Sequence, residues 1–306
     1  MARRGSADGP TGLVVVDKES GSTSHDVVAS IRKIFRQRRA GHAGTLDPSA
    51  TGVLLVGMGR ATRLIRFLQD TTKCYEGTLV FGVTTTSLDA DGEVTGTYDM
   101  KGLDAGSVME AVGALTGDIL QVPPMVSALK VDGVRLHELA RQGIEVERAA
   151  RPVRIDRFSV DPTDDPMIWS FSVICSSGTY VRTLVDDLGR NLGGGAHLLT
   201  LRRTAVGTFG IKEAATLEVI AEQTDSASPG ASPVLLSPAE ALRHLAIHVV
   251  DADGAARVAT GRSLEADEHL TTSGDPVAIL DGSGALLAVY QPKGGMLVAS
   301  VVLQAG

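Results

Sequence analysis

The stretch Gly41-His-Ala-Gly-Thr-Leu-Asp-Pro-Ser-Ala-Thr-Gly-Val-Leu-Leu-Val56 decides how this chain is read. Its first twelve residues are a loop by composition. Glycines at 41, 44 and 52 permit backbone shapes that other residues resist, and Asp47 before Pro48 is pushed out of the helical region. Its last four residues are an apolar run that suits a buried strand. Upstream, Leu13-Val-Val-Val16 reads as a second buried strand, ending at Asp17-Lys18-Glu19-Ser20-Gly21. A helix follows: Val27, Ile31, Ile34 and Phe35 recur at helical spacing behind Ser22, Thr23 and Ser24 as candidate N-caps.

The mixture continues downstream. Tyr75, Leu79 and Phe81 share one face of an alternating strand, and Asp91-Gly92 signals a hairpin turn. Val108, Ala111, Val112 and Leu115 predict a short helix, and Trp169, Phe171, Val173 and Cys175 predict a strand. Val181, Leu184, Val185 and Leu188 predict a helix ending at Asn191 and Gly193 to Gly195. Strands and helices alternate without strict βαβ order, so the fold class is α+β. Residues 121–151 are polar and basic apart from a helical Leu136, Leu139 and Ala140, and read as a surface insertion. Residues 222–238, rich in Ser, Pro and Ala, read as a linker. The division expected is therefore 1–236 and 237–306, the second part a small antiparallel barrel of four strands around Ile247, Val277, Leu286 and Met296.

The chain has 306 residues, 43% of them apolar, which is enough to bury a sizeable core in about two domains. No apolar run reaches the roughly 18 residues of a membrane span, and the start carries no secretory stretch, so a cytoplasmic protein is expected. Cys74 and Cys175 stand singly inside alternating stretches and read as reduced strand thiols. His244 and His248 have the spacing of a zinc helix, but the Glu of that motif is absent, and they read as ordinary histidines of a domain-edge helix.

The net charge of −7 hides an uneven distribution. Residues 1–70 carry eleven Lys and Arg against six Asp and Glu, whereas residues 239–306 carry four against eight. The densest basic run, Arg32-Lys-Ile-Phe-Arg-Gln-Arg-Arg39, stands directly before the quoted loop. It is at once the cationic last turn of a helix and a surface for a polyanion. Around Asp47, an Asx turn and a functional carboxylate beside bound nucleic acid both stay open on composition alone. Arg182 is more pointed: it lies off the apolar face of its helix, in a first turn whose dipole opposes a cation, and so demands an anionic partner.

Taken together, these segments resemble the bacterial tRNA pseudouridine synthases of the TruB family, which modify uridine 55 of the T loop. Gly41-His-Ala-Gly-Thr-Leu-Asp-Pro-Ser-Ala-Thr-Gly-Val-Leu54 resembles the family's catalytic motif. Lys73-Cys-Tyr-Glu-Gly77 is similar to its tyrosine motif and Ser176-Ser-Gly-Thr-Tyr-Val-Arg-Thr-Leu184 to its arginine motif. Pro123 to Lys130 with Leu139 to Val146 is similar to its RNA-binding insertion, and Ala196 to Thr204 to its last catalytic signature. One departure is Lys18-Glu19, where the family usually has Lys-Pro.

The resemblance implies a mainly antiparallel sheet flanked by helices and loops, with a small PUA-like β-barrel at the C-terminus. It implies Asp47 as the catalytic carboxylate, Arg182 as its pairing cation, and Tyr75 as the aromatic on which the uracil stacks. His42 would fill the place of the extruded base, Leu201 would form pocket wall, and Tyr180 and Lys18 would meet substrate, Lys18 at a phosphate. Lys130 and Arg141, with other cations of the insertion and the basic run, would hold RNA backbone. The reaction is neither redox nor hydrolytic, so no metal or cofactor is implied. The implied partner is the T arm of tRNA, taken by a monomer with no membrane and no protein partner. A non-catalytic RNA-binding or RNA-folding protein, and a synthase for another RNA, are the alternatives.

Overall fold

The computed structural model describes residues 9–127, 129–131, 133–226 and 234–303, with only the main chain at Lys130, Val131, Arg135, His137 and Arg141. The described residues fold into two compact units: those within 1–48, 52–69 and 206–306 form one, and those within 49–51 and 70–205 the other. It passes from the first to the second immediately after Asp47-Pro48.

In the first unit both apolar runs form strands, as expected, and the two strands pair with each other. Strand Gly12–Lys18 lies antiparallel to Thr51–Met58 in register from Gly12↔Met58 to Lys18↔Gly52, and the short strand Ala40–Ala43 also pairs with Thr51–Met58. Leu13, Val15, Val53 and Leu55 enter one apolar cluster with Leu64, Leu68, Phe209 and Leu242. Helix Ser24–Ile34 opens at Thr23 through a capping box: Asp26 N donates to Thr23 Oγ1 (3.1 Å), and Thr23 N donates to Asp26 Oδ2 (2.9 Å).

The C-terminal part of this unit contains the four expected strands, ordered Ala246–Val249, Val277–Leu280, Leu286–Lys293, Met296–Val302. The first pair is parallel rather than antiparallel, because helices Ala252–Ala259 and Glu268–Thr272 intervene and return the chain to the same end. The Asp281 turn forms as read, with Asp281 Oδ1 accepting from Ser283 N (2.9 Å) and Ala285 N (3.0 Å). His244 lies in a turn and His248 in a strand, so no helix presents the pair. Both flanks of the Ser/Pro-rich stretch belong to this unit; helix Leu217–Ser226 takes up its start, and residues 227–233 lie outside the described residues.

Three arginines fasten the last strand. Gly59–Leu64 is a 3₁₀ helix in which residues three apart eclipse, and Arg60, Arg63 and Arg66 form a row. They donate to Leu303 O (3.4 Å), Val302 O (2.6 Å), and Ser300 O and Oγ (3.0 and 2.6 Å). Part of the basic charge of residues 1–70 is thus spent on main-chain carbonyls.

In the second unit Lys73–Phe81, Ile168–Cys175, Arg151–Pro162 and Gly117–Gln121 form successive antiparallel neighbours, with Ala196–Val206 on the other side of Lys73–Phe81. Trp169, Phe171, Val173 and Cys175 are all buried, as their alternation predicts. Gly77 allows the Ala196–Val206 strand to approach, since a Cβ there would meet Thr200 O at 2.0 Å. The next residue bonds across, Thr78 N donating to Thr200 Oγ1 (3.0 Å). Val83–Thr85 and Val94–Thr97 form the expected hairpin, and Ala105–Ala114 and Val181–Asn191 the expected helices.

Candidate active site

The Asp47 loop is held from both sides by its own unit. Ser24, buried at the start of its helix, donates from Oγ to Leu46 O (3.1 Å) and accepts from Leu46 N (2.9 Å). Pro48 O accepts from Gly21 N (2.9 Å) and from Lys18 Nζ (3.0 Å). The residues before and after Asp47 are therefore fixed through their main chains, and Asp47 itself is half-buried between them. Gly44, with φ 86°, supplies the left-handed step that turns the chain into the loop. His42 sits in the strand before it, its ring edge-on to His25 with centroids 5.4 Å apart.

Lys18 is 1% exposed and gives its ammonium to Glu19 O (2.9 Å) and Pro48 O, so it braces the Asp47 loop. Strand Gly12–Lys18 is paired up to Gly52, which carries the Lys18 side chain beneath the loop.

Tyr75 and Arg182 belong to the second unit. Tyr75 is buried in strand Lys73–Phe81, opposite Val173 of the next strand. Arg182 stands in the first turn of helix Val181–Asn191, whose N-cap, Tyr180, makes no side-chain cap. Gln121 grips the main chain of that residue instead: Tyr180 N donates to Gln121 Oε1 (2.7 Å) and Gln121 Nε2 donates to Tyr180 O (3.1 Å). Arg182 is 5% exposed and donates to Ser87 O (3.0 Å) and Val126 O (2.9 Å), and its Nη1 lies 3.2 Å from Asp89 Oδ2.

Asp89 is an anionic partner of the kind that the first-turn cation required, and the sequence reading did not single it out. Its own placement is strict. Asp89 Oδ1 accepts from Ser87 Oγ and from Asp91 N (3.2 Å), Asp89 O accepts from Thr85 Oγ1 (2.7 Å), and Leu88 adopts φ 63°. The signal was present in Ser87-Leu-Asp-Ala-Asp-Gly92, where two aspartates stand near one turn glycine; reading only Asp91-Gly92 as the turn left Asp89 without a task.

Burial shapes other ionisable groups of this unit. Lys73, two residues before Tyr75 on the same strand face, is lowered to about 8, first by desolvation and then by the Arg203 guanidinium. Desolvation raises Cys175 to about 11, consistent with an inert strand thiol. Asp187 is raised to about 6 by desolvation and by neighbouring Asp186, against the pull of Arg190.

Leu201 is half-buried in strand Ala196–Val206. The insertion holds the two-strand turn Lys130–Val131 with Val134–Arg135 and helix Leu136–Arg141, anchored by buried Leu136. The side chains of Lys130 and Arg141 lie outside what the structure describes. Of the basic run, Arg32, Lys33, Arg36, Arg38 and Arg39 are exposed, and Arg32 Nη2 donates to Ala40 O (2.7 Å). Among the described residues no group of three or more His, Cys, Asp or Glu is arranged to hold a metal ion, and no helix is long and apolar enough to cross a membrane.

Comparison with known proteins gives the same answer along most of the chain. Residues 32–181 match the model of the TruB family pseudouridylate synthase N-terminal domain, and residues 182–243 that of the tRNA pseudouridylate synthase B C-terminal domain. The protein named tRNA pseudouridine synthase B from Geobacter sulfurreducens is 43% identical over 93% of this chain and 94% of its own length. The protein of that name from Streptomyces coelicolor is 45% identical over 94% and 95%. Among solved structures, a chain of a Cbf5-Nop10-Gar1 complex superposes with a TM-score of 0.75 at 26% identity, covering 96% of this chain and 85% of that one. The chain belongs to the TruB family of pseudouridylate synthases.

Proposed function

We infer that this protein isomerises uridine 55 in the T loop of tRNA to pseudouridine. The observation that carries the reading is the Asp47 loop, in which hydrogen bonds hold the residues on either side of one half-buried carboxylate. The substrate comes from the family and the names of its members. In the reaction the bond from ribose C1′ to uracil N1 breaks, the base turns, a bond from C1′ to C5 forms, C5 loses a proton and N1 gains one. A single carboxylate suffices: Asp47 attacks C1′, or it takes the C2′ proton so that a glycal forms. Nothing leaves the enzyme between the two halves of the reaction, so the second carboxylate of a glycosidase has no task here.

Arg182 is proposed to orient Asp47 and keep it ionised by a charge-assisted hydrogen bond. The target base must leave its stack, at a cost of a few kcal/mol. Tyr75 offers the ring on which it stacks and a hydroxyl that assists proton loss at C5, His42 fills the vacated place, and Leu201 and Tyr180 line the pocket. Lys130, Arg141 and the exposed run from Arg32 to Arg39 hold phosphates. The C-terminal segment from 237 is read as the PUA-like part.

The test is to incubate the purified protein with an unmodified tRNA transcript and map pseudouridine. Product at position 55 is expected, and Asp47→Asn should reduce turnover below about 1% while tRNA binding persists, because the amide keeps the shape but acts neither as nucleophile nor as base. Absence of product at 55, or an active Asp47→Asn enzyme, overturns the reading.

A further inference from the structure

Strand Ala246–Val249 closes one end of the C-terminal four-stranded sheet. Its neighbour Val277–Leu280 pairs with it in parallel, from Ala246↔Val277 to Val249↔Leu280, and no described strand pairs with its other side. In a parallel ladder each strand turns alternate N–H and C=O groups to either side, so this edge presents main-chain donors and acceptors outward. Native edges are commonly blunted by Lys, Pro, a bulge or a covering element. Ala246-Ile-His-Val249 has neither Lys nor Pro, and Ile247 and Val249 are 54% and 60% exposed.

These two side chains fall on the same sheet face as Ala278 and Leu280, which pack in the apolar cluster with Val289 and Val301. The apolar face of the sheet thus continues one strand beyond its cover. Exposed carboxylates stand at both ends of that strand: Asp275 near its start, two residues before Val277, and Asp251 and Asp253 just past its end. Residues 244–306 carry three Lys and Arg against seven Asp and Glu. Arg243, just upstream, is already paired with Glu213 through two bonds of 2.7 and 2.8 Å.

Charge decides among the occupants. A nucleic acid would bring phosphates to an acidic rim. A second copy in antiparallel pairing would set Asp251 and Asp253 of one chain against Asp275 of the other. An extended basic polypeptide meets no such repulsion. We propose that the outer edge of Ala246–Val249 is a docking site for an extended basic protein segment, which adds as a fifth strand, lays alternate apolar side chains on Ile247 and Val249, and sets Lys or Arg beside Asp251 and Asp275.

The test uses the full chain and two ten-residue probe peptides, one alternating valine with lysine and one alternating valine with glutamate. Hydrogen exchange should show the outward-facing amides among residues 246–249 protected by the lysine peptide and not by the glutamate peptide. Raising the salt from about 50 to 300 mM should weaken the protected complex by about tenfold. Ile247→Thr with Val249→Thr, both exposed and both strand-compatible, should weaken it by about tenfold or more. Asp251→Asn, which retains a helix-capping side chain, together with Asp275→Asn, should remove most of the salt dependence. Pseudouridine formation in tRNA should be unchanged in both variants. Equal protection by the two peptides, no protection by either, protection by tRNA alone, or protection through dimerisation at this strand each overturns the proposal.

Discussion

Asp47 and Arg182 are placed by opposite means. Around Asp47 the main chain is clamped at Leu46 and Pro48 by Ser24, Gly21 and Lys18, four bonds that involve peptide groups. Arg182 is held through its own guanidinium, which meets Asp89, Ser87 O and Val126 O in a nearly dry setting. The difference teaches where each end is vulnerable. A carboxylate carried by a braced loop keeps its place when its side chain is changed, so substitution isolates its chemistry. A buried cation cannot be altered without disturbing the network that holds it, because an unpaired buried charge is costly.

The comparison is broken hardest at the arginine. Arg182→Lys keeps the charge but replaces a planar fork by a point donor, which cannot reach one carboxylate and two carbonyls at once. Turnover on tRNA should fall by about 10²–10³-fold, with binding much less affected. Near-normal turnover would mean that the fork has no catalytic task. Asp89→Asn tests the same end from behind. The amide keeps the shape while removing the charge that faces Arg182, so the guanidinium should be aimed less strictly and kcat should fall by about tenfold to a hundredfold. Because Asp89 acts through Arg182, KM for tRNA should hardly move, whereas a merely structural part would lower stability and leave kcat per folded molecule intact.

The loop end should respond more mildly. Ser24→Ala removes both bonds to Leu46, at a cost of about 1–2 kcal/mol in stability, since a buried hydrogen bond contributes about 1 kcal/mol net. Turnover should fall by up to about tenfold, less than for either substitution at the arginine end. Thermal unfolding and single-turnover rates on one preparation separate the two effects. A larger catalytic loss than that of Asp89→Asn would reverse the comparison and make the loop brace the more critical support.

What could be read beforehand follows the same division. The apolar runs at Leu13 and Val53, the alternation from Trp169 to Cys175 and the helix at Val181 declare themselves because burial imposes a period on sequence. The Asp47 motif is local, so its residues could be found by resemblance. The long-range tasks of Ser24, read only as a candidate N-cap, and of Gln121 and Asp89 were not found, since they act over 22, 59 and 93 residues along the chain, and no local pattern encodes such a partner. Lys18 was legible as a cation but not as a buried one: its burial comes from strand pairing with Gly52, which carries the side chain beneath the loop. The parallel pairing of Ala246–Val249 was missed for a related reason, as two short helices between strands look like loop punctuation in the sequence.

The smallest expected effect concerns the helix that carries Arg182. Asp187 is raised to about 6 from the ordinary 3.8, chiefly because burial disfavours its ionised form and Asp186 adds like charge beside it. In the unfolded chain the group ionises near its ordinary value, so between pH 4 and pH 6 the folded protein binds more protons than the unfolded one. Stability attributable to this group is therefore full below about pH 4, falls as the pH rises through about 6, and stays reduced above it. Two units correspond to at most about 3 kcal/mol, and solvent reaching this partly exposed carboxylate cuts that to about 1 kcal/mol. Asp187→Asn removes the charge that burial penalises. The variant should melt about 2–4 °C above the parent at pH 8 and with it at pH 4. If it melts lower at both values, the carboxylate is a needed acceptor in the helix rather than a buried penalty, and the support of Arg182 extends one turn further than Asp89 and Gln121.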